Sequence, residues 1–103
     1  MSIHREVFDK VKEEAERELG DSLKQLYLYG SVARGSETEE SDVDVFAVVE
    51  DEEQKKWLQE KAISIGVENS VPMSPVVRTE EEYDTVRDTS FVKKVREEGV
   101  RHV

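Results

Sequence analysis

Two aspartates, two positions apart, stand at the head of an apolar stretch. Asp42 and Asp44 are followed at the same spacing by Phe46 and Val48. In a β-strand, side chains two apart share one face, and their roots lie about 6–7 Å apart. Carboxylates at that spacing can converge on one or two divalent ions, which in paired sites are roughly 3.5–4 Å apart. Because all the donors are oxygens, Mg²⁺ or Mn²⁺ is favoured over zinc.

A glycine-serine pair after an earlier apolar stretch supplies the complementary chemistry. Gly30 allows the backbone to approach a ligand closely, and Ser31 adds a hydroxyl at the start of a short predicted helix. Arg34, one turn further on, can reach the same anion as a forked donor. Taken singly, such a turn or an Asp-x-Asp is common. Their combination at a fixed spacing, with the glycine-serine pair directly after a strand, indicates a metal-dependent nucleoside triphosphate site.

Two strands must position these groups, and we predict them at Leu23–Tyr29 and Asp42–Val49. In the first, leucines alternate with tyrosines, so both faces carry large side chains. In the second, alternation places Asp42, Asp44, Phe46 and Val48 on one face and Val43, Val45, Ala47 and Val49 on the other. Past Val45 both faces are apolar, which is typical of a central strand covered on both sides. The carboxylates therefore lie at the start of a buried strand.

The remaining elements are predicted to be helices and an edge strand. Apolar residues recur at four-residue spacing over Ser2–Leu19, with Ser2 as N-cap and Gly20 as the stop. A second helix is predicted from Glu50 to about Ser64, ended by Gly66, with Trp57 in the core.

A third strand is predicted within Val71–Arg78, where Pro72 and Pro75 indicate an edge or bulged strand. Two short helices follow, over Thr79–Arg87 with a capping box and over Ser90–Glu98, before an extended tail. The order predicts an α/β or α+β fold, with a small sheet flanked by helices in a single domain over residues 1–103.

Composition narrows the class of protein. The 103 residues include 25 acidic and 15 basic ones, a formal net charge of −10, and no cysteine. Phosphate backbones would be repelled by most of this surface, so general nucleic-acid binding is disfavoured. Binding of a nucleotide that carries its own magnesium is not disfavoured, because the charge of the cation dominates the local electrostatic field. The sequence has neither a signal peptide nor an apolar run of membrane-spanning length, so a cytoplasmic location without membrane attachment is expected.

Gly30-Ser31, ten further residues and then Asp42-Val43-Asp44 resemble the signature of nucleotidyltransferases of the DNA polymerase beta superfamily. Gly-Ser-Val-Ala-Arg-Gly and Ser-Asp-Val-Asp-Val are similar in particular to its minimal nucleotidyltransferase (MNT) branch. The resemblance covers essentially the whole chain. It implies the nucleotidyltransferase fold and transfer of AMP from ATP with two Mg²⁺ ions.

By this resemblance, Asp42 and Asp44 are the catalytic residues that hold the metals. Gly30 and Ser31 would bind the β- and γ-phosphates, and Arg34 matches the recurrent arginine of the family.

The chain departs from the family at a third carboxylate, which active members usually carry on the third strand. Alignment of that strand places Ser74 at the position, and Glu68 is the nearest upstream acid. A serine cannot act as a general base near neutral pH without help. Whether Glu68, Ser74 or a residue of a partner takes this role stays open.

Small proteins that resemble this one are typically paired with a HEPN-domain toxin, which the MNT antitoxin adenylylates or masks. Because the catalytic core is predicted to take up all 103 residues, the acceptor surface is expected to come from a partner or from a second copy. Two alternatives stay open. One is a catalytically degenerate protein that neutralises its partner by binding alone, and the other is nucleotide transfer to a small molecule or a nucleic acid.

Three further residues are given no catalytic role. His4 and His102 lie far apart in the sequence without supporting ligands, and Tyr83 is predicted to be a surface residue of a charged helix.

Overall fold

The structure is a computed structural model that describes residues 2–103. These residues form five α-helices and four strands in the order α1 (Ile3–Leu19), β1 (Leu23–Tyr29), α2 (Gly30–Arg34), β2 (Val43–Val49), α3 (Glu52–Glu68), β3 (Met73–Thr79), α4 (Glu80–Val86), α5 (Ser90–Glu98) and β4 (Val100–Arg101). None of the helices in this range has the length and apolarity that a membrane crossing requires.

The strands form one mixed sheet in the order β3-β2-β1-β4. β2 is antiparallel to β1 and parallel to β3, with α3 as the crossover connection, while β4 pairs with β1 on the opposite side. The edge position predicted for the third strand is confirmed, and its register with β2 runs without a bulge. β2 is a central strand, as its two apolar faces predicted.

Helices cover both faces of the sheet, and the two faces of β2 fall as the alternation predicted. The first face packs under α1 and α3 and includes Val43, Val45, Ala47 and Val49 of β2. The second packs under α4 and α5 and includes Phe46 and Val48, with Tyr27, Tyr83, Val92 and Val95. Burial of this apolar surface is the main favourable free-energy term in folding. The mixed α/β architecture is confirmed.

Helix ends agree with the capping signals except at α3. Ser2, Thr79 and Thr89 each accept a backbone N–H bond as N-caps. The predicted stop at Gly66 is wrong. α3 begins at Glu52 after Asp51 as N-cap, continues through Gly66 and ends at Glu68. A Cβ on Gly66 would overlap Met73 Cγ and lie 2.7 Å from the Val71 carbonyl oxygen, so this glycine lets β3 pack against the helix.

The prediction of Tyr83 as a surface residue is also wrong. Its side chain is buried on the second face of the sheet, 6.3 Å from the Phe46 ring, and its hydroxyl accepts a hydrogen bond from Arg96 at 3.0 Å. The residues that bury it, Phe46 and Arg96, lie in other elements, so the charge pattern along α4 does not indicate this burial. Trp57 is half-buried against the core of the first face, in line with its predicted place.

Candidate active site

Three side chains lie in one row across the sheet, at the same end. Asp44 of β2 is the register partner of Tyr29 on β1 and of Ser74 on β3. Residues in register on neighbouring strands point to the same face. That face is the one covered by α5, because Asp44 alternates with Phe46. Ser74, for which the resemblance predicts the position of a third carboxylate, is thus the neighbour of Asp44 in this row.

Asp42 lies immediately before β2 and contacts the same row. The Ser74 hydroxyl donates a hydrogen bond to Asp42 Oδ2 at 2.9 Å. The backbone N–H of Val43 donates to the Pro72 carbonyl at 2.9 Å, which holds the start of β3 beside the start of β2. The two carboxylates and the serine hydroxyl thus form one cluster of oxygens at the end of the central strands.

The two aspartates differ in their surroundings. Asp42 is exposed, whereas Asp44 is partly buried. Burial raises the pKa of Asp44, the charge of Asp42 raises this pKa further, and the charge of Arg34 lowers it. Two negative charges at this place are therefore unfavourable without a compensating cation.

The Gly30 backbone packs against the Asp44 side chain. Its φ of +75° lies in the left-handed region that favours glycine. A Cβ at this position would overlap Asp44 Oδ2 and lie 3.0 Å from Asp44 Cγ. The turn and the carboxylate therefore touch directly.

The short helix α2 fixes the residues after this turn. Val32 is buried in the first core, and Gly35 ends the helix with φ +73°. The Ser36 N–H donates to the Ser31 carbonyl at 3.0 Å, which closes the loop against the helix. Ser31 is half-exposed and Arg34 is exposed, so both side chains are open to a ligand. The structure thus brings together the five predicted residues Gly30, Ser31, Arg34, Asp42 and Asp44.

The sequence pattern predicts only a strand position for Tyr29, but the structure places it beside Asp44 in this site. Burial and the charge of Asp44 raise the pKa of its hydroxyl to about 12, so the group stays protonated at neutral pH. The tyrosine ring meets Phe91 of α5 edge-on, with centroids 5.8 Å apart. Alternation along β1 places Tyr29 opposite Asp44 once the two strands are paired, but neither strand alone indicates this.

Glu68 lies elsewhere. It accepts a hydrogen bond from Ser64 at 3.4 Å and lines a surface cleft with Lys10 of α1. Within residues 2–103, no group of three His, Cys, Asp or Glu side chains is close enough to hold a metal ion. The third position of the row is thus occupied by the hydroxyl of Ser74, and Glu68 does not join the carboxylate pair.

The two histidines pack with the helices rather than at the site. His4 is buried in α1, and His102 meets the Phe8 ring edge-on at 4.8 Å. Burial lowers the pKa of His102, and Lys12 and Arg5 lower it further.

Comparison with known proteins identifies the family of this chain. A family model described as nucleotidyltransferase domain matches residues 8–102. A relative from Methanocaldococcus jannaschii, named "Putative protein adenylyltransferase MJ0141", is 31% identical over an alignment of 98 residues, and the match covers 92% of this chain and 94% of the relative.

Two solved structures share the fold. One, of a "putative minimal nucleotidyltransferase", has a TM-score of 0.66 at 18% identity, covering 97% of this chain and 95% of the other. The second, a toxin–antitoxin crystal structure with AMP-PNP, has a TM-score of 0.58 at 20% identity, covering 90% and 70%. The family model and the relative together establish that this chain belongs to the nucleotidyltransferase domain family, in agreement with the resemblance to minimal nucleotidyltransferases.

Proposed function

We propose that this protein transfers AMP from ATP to a toxin with which it pairs, in a Mg²⁺-dependent reaction, and so acts as the antitoxin. The observation that carries the proposal is the direct packing of Gly30 against the Asp44 carboxylate. This contact joins the metal-binding and phosphate-binding halves of the predicted site. Family membership and the adenylyltransferase name of the M. jannaschii relative support the reaction class.

Asp42 and Asp44 fit a magnesium ion. Mg²⁺ is usually bound through one or two carboxylates together with substrate phosphates and water. The cluster offers two carboxylates and the Ser74 hydroxyl, and the raised pKa of Asp44 marks a place where a cation would relieve repulsion. When bound, the ion would offset the negative charge that develops on the phosphoryl oxygens.

Gly30, Ser31 and Arg34 would hold the triphosphate. Without a side chain, the Gly30 backbone can approach a phosphate beside Asp44. The Ser31 hydroxyl can donate to a phosphate oxygen, and the exposed Arg34 guanidinium can form a forked pair with another. These groups would place the α-phosphorus in line with the attacking hydroxyl, which is the main part that a protein plays in phosphoryl transfer.

In the transfer, a hydroxyl oxygen of the partner forms a bond to the α-phosphorus as the bond to the bridging oxygen of pyrophosphate breaks. Pyrophosphate leaves with the electron pair, and the hydroxyl proton passes to solvent. No oxidation or reduction takes place.

The acceptor is proposed to be a HEPN-domain toxin. The resemblance to MNT antitoxins implies this partner, and a structural neighbour is itself part of a toxin–antitoxin pair with AMP-PNP. The relative's name indicates a protein as the acceptor. The formal net charge of −10 disfavours a nucleic acid as acceptor.

A second candidate is neutralisation of the toxin by contact alone. Ser74 favours this alternative. It lies beside Asp44 in the row across the sheet and has a hydroxyl, where a catalytic general base would be expected. Under this alternative, the fold and its nucleotide site persist without turnover.

The first test is a calorimetric titration of MgATP into the wild type, Asp44→Asn and Asp84→Asn. Asp84 lies exposed on α4 and serves as a charge-matched control. The proposal expects saturable, magnesium-dependent binding to the wild type and to Asp84→Asn, and its loss in Asp44→Asn.

Mass spectrometry of the HEPN protein, incubated with this chain and MgATP, then separates the two candidates. A mass increase of one AMP on the toxin supports transfer. Full inhibition of the toxin with an unchanged mass supports the contact-only alternative.

A further inference from the structure

A cleft opens beside the Gly30 turn, between the end of β1 and the helix α5. It has a volume of about 240 Å³ and is lined mainly by apolar atoms. Its lining comes from Tyr29, Gly30 and Arg34 on one side and from Phe91, Lys94, Val95 and Glu98 on the other. The apolar spacing of α5 predicts only a packing role for this helix, and none of its residues belongs to the proposed metal and triphosphate site.

The cleft is continuous with the carboxylate site. Tyr29 is the register partner of Asp44, and Gly30 packs against the Asp44 carboxylate. If the phosphates of a ligand lie at Gly30 and Arg34, the group attached to those phosphates would therefore extend either into the cleft or into open solvent.

Phe91 gives the cleft an aromatic wall. The ring is held edge-on by Tyr29 at 5.8 Å and by Phe46 at 6.3 Å. Even so, 44% of the residue is exposed. An aromatic ring that packs against two others and is still partly exposed in a cleft offers surface for stacking on a planar group.

Charged side chains stand at the rim of this wall. Lys94 and Glu98 are four residues apart on α5, so they lie on the same side of the helix. Lys94 donates hydrogen bonds and accepts none, whereas the Glu98 carboxylate only accepts. The rim thus offers one donor and one acceptor beside the aromatic wall.

We propose that this cleft binds the nucleobase of the donor nucleotide, with the base stacked on Phe91 and its polar edge at Lys94 and Glu98. The inference rests on the proposed function and adds the subsite that selects the base. Adenine presents N7 as an acceptor beside its N6 amino donor, while guanine presents two acceptors, N7 and O6, on that edge. One donor and one acceptor on the protein therefore favour adenine.

The test compares MgATP with magnesium tripolyphosphate, which has the phosphates without a base. Calorimetric Kd values are measured for the wild type, Phe91→Ala, Phe91→Trp and Ile63→Ala. Ile63 lies on α3, outside the cleft, and is 45% exposed, which matches the 44% of Phe91. If the cleft binds the base, Phe91→Ala weakens MgATP binding about tenfold, because base–aromatic stacking is lost. Tripolyphosphate binding stays unchanged, because this ligand has no base. Ile63→Ala keeps wild-type affinity, and Phe91→Trp binds MgATP more tightly than Phe91→Ala because its ring can still stack on the base.

Selectivity gives a second readout. In the wild type, MgATP binds more tightly than MgGTP, and Glu98→Ala narrows the ratio of their Kd values because the acceptor for the adenine amino group is gone.

Equal weakening of MgATP and tripolyphosphate in Phe91→Ala would overturn the subsite, because it would show a general effect on the site. Wild-type protein that binds tripolyphosphate as tightly as MgATP would overturn the subsite and leave the proposed function standing. Binding of neither ligand would overturn both.

Discussion

Gly30 and Asp44 are packed so closely that residue 30 has no space for a side chain. A Cβ at residue 30 would lie 3.0 Å from Asp44 Cγ and overlap its Oδ2 atom, and the Gly30 φ is +75°. The two residues belong to different elements, since Gly30 follows β1 and Asp44 lies within β2. Antiparallel pairing of these strands brings the turn and the carboxylate into contact.

Gly30→Ala is therefore expected to abolish MgATP binding and to destabilise the fold. Adding a Cβ at positive φ costs about 1–2 kcal/mol, and the displaced Asp44 carboxylate adds to that cost. Gly35→Ala is the matched control, because Gly35 has φ +73° but a Cβ there would meet no atom within 4 Å. Chemical denaturation and calorimetry would measure both effects. The contact would be irrelevant to binding if both variants bound MgATP as the wild type does.

Asp44→Asn is expected to stabilise the protein in the absence of metal while removing its response to magnesium. Burial and Asp42 raise the pKa of Asp44, so its ionised form destabilises the fold above that pKa. The penalty disappears as the pH falls below the ordinary aspartate range.

Removing the charge should raise the free energy of unfolding by no more than about 1 kcal/mol at neutral pH in EDTA, because Asp44 is only partly buried and solvent screens its charge. Thermal melting with EDTA and with MgATP would measure this. The wild type should gain stability from MgATP and the variant should not. Equal gains in both proteins would argue against Asp44 as a metal ligand.

Ser74→Asp is expected to accelerate AMP transfer. The serine occupies the row beside Asp44 and donates to Asp42 at 2.9 Å, so an aspartate there would put a base within reach of the cluster. A positioned general base contributes about 10²–10⁴-fold, and we expect an increase of at least about tenfold.

The rate of AMP incorporation into the HEPN protein is the measurement, with Ser74→Asn as a control of the same size without charge. Equal rates in Ser74→Asp and the wild type would mean that the chain needs no base at this position.

Much of this architecture could be predicted because local patterns determine it. Alternation in β2 assigned Phe46 and Val48 to one face and Val45 to the other, and capping signals at Ser2 and Thr79 marked helix starts. The spacing from Gly30 to Asp44 also carried the family signature. Such features depend on residues close together in the chain.

The errors share a different cause, which is contact between distant segments. Gly66 looked like a helix stop because glycine is a poor helix former, yet β3 packs against it and the helix continues. Tyr83 is buried by Phe46 and Arg96, which lie in other elements. The cleft at Phe91 joins segments about sixty residues apart, so neither segment alone indicates it.

The capping box of α4 makes part of the free energy of unfolding depend on pH. Hydrogen bonds from the Thr79 N–H and from Lys55, both at 2.9 Å, lower the pKa of the Glu82 carboxyl. The folded state therefore gains stability from ionised Glu82 above the ordinary glutamate pKa, and loses it as the pH falls through the lower folded value.

Glu82→Gln keeps the capping geometry and removes the charge. It should lower the free energy of unfolding by no more than about 1 kcal/mol at neutral pH, since the pair is partly exposed, and by almost nothing at about pH 3. Urea denaturation at the two pH values would measure this, with the exposed Glu81→Gln of the same helix as control. If both variants lost the same stability at both pH values, the charge of Glu82 would have no part in holding α4 to the end of β3.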